Sequence, residues 1–515
     1  VYGIRAMDLD SLAIARAVRE PIALNENVRN AYDSITYNKG LAVIGMVDAY
    51  FGADVFRPAL GRYVEAYEDG VANSPEFFDI IGRETGEPDL TRAFRSFVEQ
   101  NGLPLIRVEK TNPNTLEISQ SRYGPLGTKI QDHRDWVIPF CSYRGTLEGG
   151  NRLCFLINDK TETLVGDPRV TTENEMRWFL PNADGTGYYR FSMPYEMWQD
   201  LGRNFGLLSA GEKLSTLDSV GAEFAAGRID VQTVWRFIDE AVRDQERRVV
   251  QAAIREAGKF ERLLADDEDA IAGYRAAILD VFRYRYAELD QQDNNDPELM
   301  IMRSSLERFL IRAGQDTALR QSLAEAAASF IGLEGVTSER EITTDDYLTS
   351  MAVGLQTYGE PFLDRLLAAR SEFDDPVFEQ AVAYAIGQNK DPQLLERVLD
   401  LALTGELGSR ETRTIARGQM RQTETRDATW SWVQENFPTY LETIPRQRKR
   451  SSPALADAMC SLSARDEVVA LFERHGDLAE GHERALSQTT ERIELCSALE
   501  AAKGEEVRAF FRQRG

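Results

Sequence analysis

The chain has 515 residues, of which 60 are Lys or Arg and 84 Asp or Glu, giving a net charge of −24, with 43% hydrophobic and 28% charged residues. That length allows roughly two to four domains, each with its own core. The acidic balance argues against a nucleic-acid binder, which needs a basic face, and no run of about 18 apolar residues offers a membrane span.

The sequence opens at Val1 inside what reads as an ordered segment, Ile4 to Asp10, with no signal peptide, so it is expected to start in the middle of a longer protein. A helix is expected from Asp10 to Arg19, its apolar face being Leu12, Ile14, Ala15 and Val18 and its stop Pro21. Next comes Asp33-Ser34-Ile35-Thr36-Tyr37-Asn38-Lys39-Gly40, where Asp33 or Ser34 can cap a helix start and Tyr37 falls in the first turn. From Leu41 the spacing is that of a buried helix, with Ile44 and Val47 on one face and Gly40 admitting a close neighbour. Helices follow over 42–51 and 55–67, the second carrying Phe56, Leu60, Tyr63 and Val64. Another starts at Ser74-Pro75-Glu76, and the last covers 90–100 with Phe94, Phe97 and Val98. Asn101-Gly102 breaks the pattern and marks a domain boundary, closing a first domain over 1–102.

Residues 103–197 switch to period two and read as a small β-sandwich. Strands are expected over 116–120, 137–143, 152–157, 176–180 and 188–193. Turns are expected at Asn112-Pro113-Asn114, Glu148-Gly149-Gly150-Asn151, Gly166-Asp167-Pro168 and 182–187. The last tract, Asn182-Ala183-Asp184-Gly185-Thr186-Gly187, lacks the Lys-Ser/Thr ending of a phosphate loop and reads as a hairpin turn.

Residues 198–515 read as helices throughout. Asp375-Pro376 and Asp391-Pro392 are two successive helix starts. Val377, Phe378, Ala381, Val382, Ala385 and Ile386 make one stripe, and Leu394, Leu395, Val398, Leu399 and Ala402 the next. Short helices that cannot bury a face alone point to stacked helix pairs of the HEAT or armadillo kind, a large α-helical superhelix. Arg446-Gln447-Arg448-Lys449-Arg450 is a basic run, read as a solvated loop or as an electrostatic contact for a peptide carboxylate. His482-Glu483 begins like H-E-x-x-H, but Leu486 stands where the second His is required, and His133 and His475 cannot replace it at helical spacing.

The four cysteines contain no C-x-x-C pair, so a structural zinc is not expected. Cys141 and Cys154 lie on strand-like segments, and Cys460 and Cys496 on helical ones. Either pair could bridge. The plain reading is four buried thiols, with a Cys460–Cys496 disulfide as the sharper alternative, which would imply an oxidising compartment.

Several segments, in order, resemble the aminopeptidase N family of zinc metallopeptidases (gluzincins). They are Tyr37-x-Lys39-Gly40 opening an apolar helix, Tyr50-Phe51-Gly52, Phe56-Arg57-Pro58-Ala59-Leu60, Gln100-x-Gly102-x-Pro104, and Pro181-Asn182-Ala183 followed by Gly187-Tyr188-Tyr189-Arg190. Phe97 stands where the family usually has Trp. The resemblance covers the whole chain and implies a multidomain, mainly α architecture: the helical end of a thermolysin-like catalytic domain (1–102), a β-sandwich (103–197) and a superhelical domain (198–515). It implies that Tyr37 donates its phenol proton as a hydrogen bond to the tetrahedral oxyanion. A phenol suits that work, because it stays a donor at neutral pH.

The family's zinc motif and its G-A-M-E-N segment have no counterpart here. The resemblance therefore implies the C-terminal part of a zinc aminopeptidase whose metal ligands lie upstream, inactive alone. Its partners would be peptide substrates and the upstream N-terminal and catalytic segments. The alternatives are a non-catalytic α-solenoid that binds a protein or peptide, and an epoxide-hydrolysing relative. Relatives with this pattern can be periplasmic or secreted, and a cytoplasmic enzyme with free thiols is the other possibility.

Overall fold

A computed structural model describes residues 2–20, 32–112, 115–130, 134–146, 149–165, 176–291, 296–373, 375–404 and 407–515. His133, the expected turn at Gly166-Asp167-Pro168, and the turn residues Pro113, Asn114 and Glu148 lie outside the described residues. The protein is mainly helical, with one small β region followed by many helices. It divides into two compact units, Val1–Ala265 with Ala502–Phe510, and Asp266–Ala501 with Phe511–Gly515.

The first unit opens with helices α1 (Tyr2–Asp10), α2 (Gly40–Phe51), α3 (Ala53–Ala66), α4 (Ser74–Glu84) and α5 (Asp89–Val98). The helix expected over 10–19 is absent. Instead α1 ends where that helix was to begin, because polar side chains there take the backbone partners a helix would need. Ser11 Oγ donates to Asp8 O at 2.8 Å, and Arg16 Nη1 donates to Ala17 O at 2.8 Å. The start of α4 is as expected: Asn73 caps it in a reciprocal box with Glu76, and Pro75 sits in the first turn.

Two expected faces are corrected. On α2 the buried residues are Val43, Met46 and Val47, whereas Leu41 is 58% and Ile44 41% exposed. A Cβ at Gly40 would meet nothing within 4 Å, so no close neighbour explains that glycine. On α3 Phe56 and Ala59 are buried, while Leu60 and Val64 face outward. Because α2 is apolar nearly all round, spacing alone does not say which of its arcs turns inward.

Among the described residues seven strands follow: β1 (Pro104–Asn112), β2 (Thr115–Arg122), β3 (Ile138–Thr146), β4 (Gly149–Ile157), β5 (Thr161–Val165), β6 (Trp178–Leu180) and β7 (Arg190–Ser192). They form two sheets, ordered β5-β2-β1-β7 and β4-β3-β6. The tract 182–187 is therefore not a hairpin turn. It carries the chain from β6, paired with β3, to β7, paired in parallel with β1. Asn182 holds it, its side-chain oxygen accepting from Gly187 N at 2.9 Å and its amide donating to Gly187 O at 3.3 Å. Gly185 has φ 65° and packs against the Gly211 carbonyl, where a Cβ would collide. Helices α6 (Tyr195–Arg203), α7 (Ala210–Ala225), α8 (Val231–Val242) and α9 (Arg247–Lys259) come next.

The later helices are α10 (Glu268–Asp290), α11 (Pro297–Arg312), α12 (Thr317–Ile331), α13 (Tyr347–Tyr358), α14 (Glu360–Glu372), α15 (Pro376–Gly387), α16 (Leu395–Asp400), α17 (Ser409–Gln419), α18 (Arg426–Glu442), α19 (Arg446–Lys449), α20 (Leu462–His475) and α21 (Glu483–Arg512). In the second unit α13 packs on α12 and α15, and α15 packs on α17. Asp375 and Asp391 cap as expected, accepting from Val377 N at 2.8 Å and Gln393 N at 2.9 Å. The stripes are buried as expected apart from Val377, which is 42% exposed at the outward side of the first turn. The run at 446–450 is not a loop: four of its residues form α19, and Arg446 pairs with Glu480 at 2.7 Å.

The reading of four free thiols is also corrected. Cys141 sits directly opposite Cys154 across β3 and β4, with Cα atoms 4.2 Å apart, and the two are bridged. Cys460 and Cys496, with Cα atoms 5.1 Å apart, form the second disulfide. Both separations fall under the roughly 7 Å that a bridge can span.

Candidate active-site edge around Tyr37

Tyr37 does not sit in the first turn of an α-helix. It lies in a π-turn, Ile35–Lys39, that leads into α2. Asp33, rather than Ser34, caps the turn: its Oδ1 accepts from Ile35 N at 2.9 Å and Thr36 N at 3.0 Å. Ser34 Oγ instead accepts from Asn38 Nδ2 at 2.7 Å. The Asp33 carboxylate is itself gripped by Arg16, through Nη2–Oδ1 at 2.6 Å and Nε–Oδ2 at 3.0 Å, a two-pronged pairing that fixes orientation as well as charge. Arg16 also donates to Thr36 Oγ1.

The other end of the turn is tied more deeply. Lys39 and Asp10 are both fully buried and meet at 2.8 Å. The remaining ammonium protons go to Gln100 O at 3.1 Å and Gly102 O at 3.2 Å. The Asp10 carboxylate accepts from Gly102 N at 2.7 Å and from Tyr188 Oη at 3.1 Å, and the ammonium lies 5.6 Å from the Tyr188 ring centre. Every donor of the ammonium is satisfied, as a buried charge requires. Burial, the leading cause in each case, pushes the Asp10 carboxyl up and the Lys39 ammonium down, and each partner's charge opposes the other's shift.

With Ile35 and Lys39 pointing inward, Tyr37 points out, at 58% exposure. Leu41 and Ile44 continue its face at four- and three-residue steps, and Asp48 follows. The Asp48 Oδ1 atom is shielded from water and has no hydrogen-bond partner among the described residues. The result is an exposed phenol, on a turn anchored at both ends, at the head of an apolar stripe that no described residue covers.

Sequence reasoning singled out Tyr37 and considered Asp33 as a cap, but it missed Asp10, Arg16 and the role of Lys39. The available signal was a lysine just ahead of the apolar run that begins at Leu41, which must find a buried anion if the turn packs. The histidines that resembled half of a zinc motif are structural. His482 stacks on Phe472 at 5.1 Å, with Nδ1 3.2 Å from Ala479 O, and His475 lies 6.2 Å from the Phe437 ring. Among the described residues no group of three or more His, Cys, Asp or Glu is placed to hold a metal ion, so the residues present do not fit a zinc site.

Residues 178–495 match the family described as ERAP1-like C-terminal domain, and residues 3–99 match the peptidase family M1 domain. The chain belongs to the aminopeptidase N-like M1 family, as a C-terminal portion. Over 95% of the chain it is 22% identical to aminopeptidase M1-B of Oryza sativa subsp. japonica, and over 99% it is 21% identical to the alanine/arginine aminopeptidase of Saccharomyces cerevisiae. A probable aminopeptidase 2 of Sulfurisphaera tokodaii is 23% identical over 85%. The chain spans 56%, 58% and 51% of those three relatives, a little over half their length.

Proposed function

We propose that this chain is the C-terminal part of a zinc-dependent aminopeptidase that removes N-terminal residues from peptides, with Tyr37 donating a hydrogen bond to the oxyanion. The observation that carries the proposal is the Tyr37–Leu41–Ile44 stripe, ending at the orphaned carboxylate oxygen of Asp48. An exposed phenol held at both ends of its turn is pre-organised to donate, and pre-organised donors are what acyl-transfer transition states reward. An uncovered apolar face beside it suits a covering domain. On this reading the upstream segments of the same protein cover the stripe and supply the zinc ligands. Residues 1–102 complete a thermolysin-like catalytic domain, 103–197 act as a sandwich spacer, and 198–515 form a HEAT- or armadillo-like superhelix that limits substrate size. The two disulfides favour a periplasmic or secreted setting, because such bridges persist in oxidising compartments.

The test is hydrolysis of an aminoacyl chromogenic substrate in the presence of zinc. The 515-residue chain alone should show none, and the protein carrying the upstream segments should turn it over. Zinc-dependent hydrolysis by the isolated chain would overturn the proposal.

A further inference from the structure

Strand β1 is paired along its whole length on one edge and for only three residues on the other. β2 pairs with it from Pro104 to Asn112, whereas β7 pairs with Leu105, Ile106 and Arg107 and stops there, at Ser192. Beyond Ser192 the chain leaves the sheet through Met193 and Pro194 and enters α6. Among the described residues the backbone of Val108, Glu109 and Lys110 bonds to nothing other than β2. A strand edge left in this state is a template for another strand.

Beside the open edge is a cavity of about 740 Å³, within the usual range for ligand sites. Its wall includes residues 107–110 of β1, 192–195 after β7, and 228–230 between α7 and α8, but no residue of β2. The space therefore lies on the side of β1 that β7 vacates. All of these residues belong to the first unit.

Much of the charge in the wall is used within the fold. Arg228 Nε donates to the buried Glu223 at 2.9 Å, and Ser192 Oγ donates to the other oxygen of that carboxylate. Lys503 pairs with Glu506 at 2.7 Å, and Asp230 caps α8, accepting from Thr233 N at 2.8 Å. Arg107, Glu109 and Lys110 are exposed and make no ion pair or side-chain hydrogen bond among the described residues. The open edge thus carries two free cations against one free anion, in a chain whose net charge is −24. Cations on an edge discourage pairing with a second copy of the same edge, whereas an acidic strand is drawn to them.

We propose that the edge of β1 at 108–110 is a docking site for an extended, acidic segment of a partner protein, which adds as a strand where β7 ends. In such additions main-chain hydrogen bonds give affinity and side-chain contacts give selectivity. Here the selecting groups are Arg107 and Lys110 for carboxylates, with Tyr195 and Ile229 in the wall for apolar side chains. The inference goes beyond the peptidase reading and does not depend on it.

The test is fluorescence anisotropy of the 515-residue chain with a fluorescein-labelled octapeptide of four valine–glutamate repeats. It should bind with a dissociation constant below about 1 mM. The same peptide N-methylated on every internal amide, which cannot donate to a strand, should bind at least about tenfold more weakly, and so should a valine–lysine octapeptide. The double variant R107Q/K110Q should weaken binding by about threefold to tenfold. Its unliganded melting temperature should match that of the parent chain, because both side chains are exposed. Hydrogen exchange within 105–112 should slow when the octapeptide is bound. No binding of the valine–glutamate octapeptide, equal binding of its N-methylated form, or protection confined to residues outside 105–112 would overturn the proposal.

Discussion

Lys39 Nζ lies 2.8 Å from Asp10 Oδ2, and neither side chain has any exposed surface. The pair joins the end of α1 to the turn that carries Tyr37, and through Gly102 and Tyr188 it reaches the β region as well. Removing one partner strands the other charge in the interior, at a cost of about 3–5 kcal/mol. Lys39→Met should therefore lower stability by that amount in urea denaturation. The double change Lys39→Met with Asp10→Leu should recover part of the loss, since the stranded carboxylate is gone. A single variant within about 1 kcal/mol of the parent chain would show that the pair is not needed to hold the turn.

Adjacent positions on α2 should respond in opposite ways. Val43 is 1% exposed, and Val43→Ser should cost about 2–3 kcal/mol. Leu41→Ser with Ile44→Ser should leave the isolated chain within about 0.5 kcal/mol, as exposed sites do. In protein carrying the upstream segments the same pair should instead be destabilising. Equal melting curves for the double variant and its parent in that longer protein would show that the stripe stays uncovered.

Alkaline pH should weaken the first unit. Burial pushes Tyr123 up to about 12 and raises Tyr188 well above the usual phenol value. Below pH 10 the folded and unfolded forms both keep these protons. Between pH 10 and 12 only the folded form does, so stability falls by about 1.4 kcal/mol per pH unit for each such tyrosine. Urea curves taken from pH 9 to 12 should show the loss, and Tyr123→Phe should flatten it by one tyrosine's share. An unchanged slope in that variant would remove Tyr123 as a contributor.

The disulfides should differ in what they contribute. Cys460 and Cys496 are 36 residues apart and Cys141 and Cys154 are 13 apart. Loop-closure entropy gives about 4 kcal/mol for the first and about 3 kcal/mol for the second. Cys460→Ser with Cys496→Ser should destabilise by more than Cys141→Ser with Cys154→Ser, measured by thermal melting under non-reducing conditions. The reverse order would show that native-state packing, rather than chain entropy, decides the effect.

Much of this architecture was legible in the sequence where one local rule acted without competition. Asp375-Pro376 and Asp391-Pro392 start helices because a cap and a fixed φ need no distant partner. Five of the seven strands described were legible as short β-rich runs between turn signals, whereas β5 was not, nor was β1, with Leu105 and Ile106 both buried in succession. The misses have physical causes. The helix expected at 10–19 lost to side-chain bonds around Ser11 and Arg16. The crossing at 182–187 looked like a hairpin because turn chemistry does not encode which sheet the next strand joins. At the candidate site Tyr37 stood out by its neighbours, but the Asp10–Lys39 and Arg16–Asp33 pairs span 29 and 17 residues and carry no local pattern.

The most direct measurement is kcat for protein carrying the upstream segments, with and without Tyr37→Phe, alongside its zinc content. A phenol that stabilises the oxyanion predicts a fall of about 10²–10³ in kcat with metal content unchanged. Activity within a few-fold of the parent protein would contradict that role for Tyr37.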